Sequence, residues 1–149
     1  MYRHFADREA ILDEVLERRF QPVIDRAATR LAGATRFPED LAYVIVAAVD
    51  ETRQVPELMK AVAPVQDSDS LRTRATSGRF LARAVTLLEP YLQTAQQNGQ
   101  MRPELSVDDT VRWLLQVWLS MLFLTPDDGP AKMLDTCMTY VMPALVTPP

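Results

Sequence analysis

Few side chains in this sequence can do acid–base, nucleophilic or metal chemistry. His4 is the only histidine and Cys137 the only cysteine. Ser-His-Asp or Cys-His catalysis would have to use His4, close to the start of the sequence. One histidine and one cysteine cannot make up the nitrogen and sulfur ligand set of a zinc centre, so no metal site is expected. The four glycines form neither G-x-x-x-x-G-K nor G-x-G-x-x-G, and no phosphate-cradling loop or cofactor is expected. Carboxylates pair at Asp13 with Glu17 and at Asp108 with Asp109. They fall on predicted solvent faces or caps, with no base or ligand set beside them. Arg72, Arg79 and Arg83 share one helical face and read as a solvated basic stripe. Cys137 reads as a small buried hydrophobe rather than a redox sensor. The inventory points away from an enzyme.

The elements that must carry these residues are bounded by composition. The chain has 149 residues, 48% of them apolar and 24% charged. That length and balance fit one globular domain with a proper core. A net charge of −4 makes the chain as a whole a poor partner for nucleic acid, so any DNA contact needs a local basic surface. A single cysteine fits a reducing compartment, and the charged, mixed start does not read as a signal peptide. The strongest apolar stretch, Trp113 to Leu124, is too short to span a bilayer. A cytoplasmic protein with no membrane partner is expected.

The periodicity is helical nearly throughout, and no segment alternates like a strand. A first helix is predicted from Asp7 as cap, with Ile11, Leu12, Val15, Leu16, Phe20, Val23 and Ile24 on its apolar stripe. Pro22 should kink or divide it, and Gly33 should end it. Pro38 opens a second helix at its first position, and a short third runs from Pro56 to about Ala63. Asp67 to Ser70 reads as a loop and cap. A long helix then runs to Asn98-Gly99, bent at Pro90. Ser106 caps the next, which reaches about Leu124. Pro130 starts the last, whose final turn Pro143 distorts. The expected fold is all-α with about six helices.

The last two helices are apolar on two sides each. Trp113, Val117 and Met121 lie roughly opposite Val111, Leu115, Trp118 and Leu122, and a helix apolar all round must be covered all round. The expectation is a two-fold homodimer through a four-helix bundle of these helices. Its interface candidates are Trp118, Leu122, Met133, Cys137, Tyr140 and Val141.

Tyr2-Arg3-His4-Phe5-Ala6-Asp7-Arg8-Glu9-Ala10-Ile11-Leu12 resembles the hinge between head and body in TetR-family transcriptional regulators. There a Tyr-x-x-Phe segment closes the recognition helix, and a basic-Glu-x-Leu start to the connecting helix follows a short turn. Gln100-Met101-Arg102-Pro103-Glu104-Leu105 resembles that family's Gly-x-Arg-Pro-x-Leu entry into its penultimate helix, with the glycine one residue early at Gly99. The resemblance implies a TetR-like C-terminal helical body. Residues 1–7 would be a remnant of the DNA-binding head, and 8–149 the effector-binding and dimerisation domain. It implies that Tyr2, His4 and Arg8 touch DNA phosphates, which position a protein but do not read bases. The helix-turn-helix head would precede Tyr2, so operator binding is expected only where that head is present.

The resemblance further implies a cavity among the middle helices for a small, mostly apolar effector. Its candidate lining is Tyr43, Val46, Met59, Phe80, Leu87, Tyr91, Trp113 and Val117, residues that would serve equally as ordinary core. Arg83 or Gln116 facing that cavity would favour acidic or polar effectors. The expected function is the effector-binding and dimerisation part of a transcriptional regulator, a repressor in kind. The alternative is a headless interaction module that heterodimerises with, and titrates, a full-length regulator.

Overall fold

The fold is known from a computed structural model, which describes residues 2–62 and 79–149, with side chains for Glu14, 17–59 and 81–149. The described chain is all-helical. Six α-helices occur in order: α1 (Tyr2–Ala32), α2 (Glu39–Arg53), α3 (Pro56–Val62), α4 (Arg79–Gln97), α5 (Val107–Phe123) and α6 (Pro130–Thr136). A π-helical turn over Cys137–Val141 and a 3-10 turn over Met142–Ala144 extend α6. Among the described residues β pairing is confined to one isolated bridge, Met101 with Val146.

The helix α2 is the centre of the fold. It packs against α1, α3, α5, α6 and the π turn. Its sequence explains this place: Leu41, Ala42, Val44, Ile45, Val46, Val49 and Thr52 are all buried, so apolar side chains cover most of its circumference. On the outer side α4 bridges α1 and α5. Ion pairs pin the rim. Glu51 of α2 takes Arg26 at 3.0 Å and Arg30 at 2.9 Å, and Arg19 of α1 meets Glu57 of α3 at 3.2 Å.

Local signals place most of the ends. The Ser106 hydroxyl accepts from the Asp109 amide at 3.3 Å, the expected cap of α5. Gly99, at φ +72°, reverses the chain after α4. There Gln100 and Met101 donate their amides to the Ala95 carbonyl. The α-helical pattern of α6 ends at Cys137, and the Met142 amide reaches back to the Cys137 carbonyl. Pro143 has no N–H to donate to the carbonyl four residues back, so a regular α-helix cannot run on unbroken past it.

Three expectations need correction. The chain does not turn at Asp7; α1 begins at Tyr2 and passes through it. Residues 6–12 are mostly good helix formers, with neither glycine nor proline to stop the helix. Pro22 does not divide α1 either. Its ring is exposed, so the Arg18 carbonyl it leaves without a helical donor lies on the solvent side. Pro38 sits at the cap of α2 rather than inside its first turn. The loop expected at Asp67–Ser70, and Arg72, lie outside the described residues.

Candidate functional site

Two open grooves carry the sites that sequence reasoning singled out. The larger, about 720 Å³, lies between α1 and α4. Gln21, Ile24, Ala28, Leu31 and Ala32 of α1 wall one side, with Ala34 beyond its end. Ala82, Arg83, Thr86, Leu87, Pro90, Tyr91 and Thr94 of α4 wall the other. The two helices run in the same direction along it. At one end an Arg83 amine meets the Glu17 carbonyl at 3.4 Å, and at the other the Tyr91 ring lies 6.1 Å from that of Phe37.

Small residues on both helices keep the groove open. Thr86 and Thr94 donate their hydroxyls to the Ala82 and Pro90 carbonyls at 2.9 Å each, so their polar atoms are spent within α4. Pro90 has no amide to give, which leaves the Thr86 carbonyl without its helical donor. The Gln21 amide is engaged with Asp25 at 2.7 Å. Arg83 is the one charged side chain among the described residues lining this groove. The Tyr91 hydroxyl is buried and without a hydrogen-bond partner. Burial first, then the carboxylates of Asp40 and Glu39, push its phenol up to about 12.

The second groove, about 480 Å³, lies between α5 and α6 with its π turn. These two elements scarcely pack on each other; each packs on α2 instead. Trp113, Val117 and Met121 of α5 face Met133, Tyr140 and Val141 across it, with Gln116, Ser120, Thr125, Asp128 and Thr136 as polar lining. Its rim carries two large apolar side chains in contact with solvent, Trp113 at 45% and Tyr140 at 78% exposure.

The expected effector-pocket residues are therefore not one constellation. Leu87 and Tyr91 share the α1–α4 groove, whereas Trp113 and Val117 line the α5–α6 groove. Val46 is core. Met59 is half-buried against that core. Tyr43 is on the surface, beneath the Arg30 guanidinium at 5.8 Å. The Phe80 side chain lies outside the described residues. So do those of Tyr2, His4 and Arg8, all on the first turns of α1.

The interface candidates also divide. Trp118, Leu122, Met133, Cys137 and Val141 are buried within their own chain. Trp118, Leu122 and Cys137 have little surface left to offer a second copy. Of the six, Tyr140 stands out to solvent, and Met133 and Val141 reach only the floor of the groove. Sequence reasoning missed the α1 wall of the larger groove. Ala28 and Ala32 could have been read as an approach of small residues, but nothing in their spacing says which helix lies opposite.

Compared with known proteins, the chain matches no family model, no curated protein and no solved structure. Among the described residues no group of His, Cys, Asp or Glu is placed to hold a metal ion. No described helix is long and apolar enough to cross a membrane.

Proposed function

We propose that this chain is the effector-binding and dimerisation part of a TetR-like transcriptional regulator, with the α1–α4 groove as its effector site. The observation that carries the reading is the wall of that groove. One side of it is α1, the helix that begins in the Tyr2–Leu12 segment resembling the family's hinge. A small molecule wedged between α1 and α4 acts directly on the helix that would hold a DNA-binding head. Such a ligand shifts the equilibrium between α1 positions by its difference in affinity for them. The all-helical order of elements supports the reading, as do apolar walls with few polar points. Dimerisation is assigned to the α5–α6 face, where Trp113 and Tyr140 stand exposed beside an open groove.

The test is hydrogen–deuterium exchange with and without the apolar fluorescent anion 1-anilinonaphthalene-8-sulfonate. The expected result is slowed exchange over 20–32 and 82–94 together. Ala28→Trp, which fills the groove, should remove both the fluorescence gain and the protection. Protection elsewhere, or none, would overturn the assignment of the site.

A further inference from the structure

The α1–α4 groove has one charged lining residue, and its position defines what the groove would take. Arg83 is half-buried at one end. Among the described residues its one hydrogen bond is a long one, 3.4 Å to the Glu17 carbonyl, out of five guanidinium donors. No Asp or Glu is among the described residues lining the groove. Beyond Arg83 the walls are Ile24, Ala28, Leu31 and Leu87, with the Tyr91 ring toward the far end. The groove threonines turn their hydroxyls into α4. Positive charge is thus confined to one end of an otherwise apolar trough.

Arg83 and Tyr91 are eight residues apart on one helix, hence about 12 Å along its axis, the reach of an extended chain of roughly ten carbons. We infer that the α1–α4 groove takes a medium-chain carboxylate, with the carboxylate paired to Arg83 and the chain laid between α1 and α4 toward Tyr91. A planar guanidinium suits a carboxylate bidentately. The inference rests on the groove being the effector site, and it adds the chemical class and direction of the ligand.

Calorimetric titration of the full chain with decanoate, decanol and decylamine tests it, alongside Arg83→Leu, Arg83→Lys and Ala28→Trp. Decanoate should bind about tenfold to a hundredfold tighter than decanol, with decylamine weakest, as expected for one charge-assisted pair. Arg83→Leu should bring decanoate down to the affinity of decanol, and Arg83→Lys should keep part of the preference. Ala28→Trp should weaken all three. If decanol matches decanoate, or if the preference survives Arg83→Leu, the carboxylate assignment is wrong while the groove remains a ligand site. If none of the three binds, or if Ala28→Trp leaves binding unchanged, the effector-site reading falls and the inference falls with it.

Discussion

Phe20 of α1 meets Trp118 of α5 edge to face, with ring centroids 5.8 Å apart and the planes at 66°. Both rings are almost fully buried, at 3% and 8% exposure. This contact ties the groove-forming helix α1 to the helix behind it. It also makes Trp118 part of the core of its own chain.

Trp118→Ala should therefore cost about 3–5 kcal/mol of folding stability, as a large buried aromatic truncated to a methyl does. The loss should be independent of protein concentration. In a double-mutant cycle with Phe20→Leu, the ring pair itself should account for about 0.5–1.5 kcal/mol. Urea unfolding at two protein concentrations measures both. A cost that grew on dilution would return Trp118 to an intersubunit role.

Arg53 works one turn further along α5. Its guanidinium donates to the Met121 carbonyl at 2.6 Å, to that of Thr125 at 2.7 Å, and to that of Asp128. The last residue of α2 thereby caps the C-terminus of α5, where the helix runs out of backbone donors and its dipole is negative. Arg53→Met should cost about 2–3 kcal/mol, because two partly buried carbonyls and one exposed carbonyl lose a charged donor. Arg53→Lys should recover little of it, since a point charge cannot fork to three acceptors. Thermal unfolding of the two variants decides the matter, and full recovery by lysine would show that charge alone suffices.

The sequence made the helices and their punctuation readable because those signals are local. Ser106 caps α5, Gly99 reverses the chain after α4, and Pro143 spoils the last turn. The amphipathic stripe of α2 likewise identifies it as thickly covered. Partners across space were not readable. A helix apolar on two sides must be covered, but periodicity does not say by what. For α5 the cover is α2, α4 and Phe20 of its own chain. The same gap divided the pocket. Tyr43 and Val46 lie on one helix three residues apart, yet one is under solvent and the other in the core, because α2 leaves a single strip of itself uncovered.

Cys137 is fully buried, and burial pushes its thiol from 9.0 up to about 11. Folding thus favours the protonated thiol, and the folded state binds more protons than the unfolded one between pH 9 and 11. Stability from this group is complete below pH 9 and is lost as pH rises through that window. Native protein at pH 8 should react with a disulfide reagent such as DTNB only as fast as it opens, and stoichiometrically once unfolded in urea. Cys137→Ala should flatten part of the alkaline loss of stability. Rapid labelling of the native protein would place the thiol at the surface instead.

Trp113 and Tyr140 separate the surface role of α5 and α6 from their core role. They flank the open groove between these elements and are exposed, whereas Leu122 and Cys137 nearby are not. Large aromatics at the centre of an interface are worth about 2 kcal/mol or more each. Trp113→Glu with Tyr140→Glu should therefore convert a dimer to monomers at concentrations where the parent chain is associated, with little change in helicity. Leu122→Glu should instead unfold the chain, because it buries an unpaired charge. Sedimentation velocity and circular dichroism on the same samples distinguish the two outcomes. A parent chain that sediments as a monomer at high concentration would remove the dimer from the proposal, and a double variant that remained dimeric would move its interface to another face.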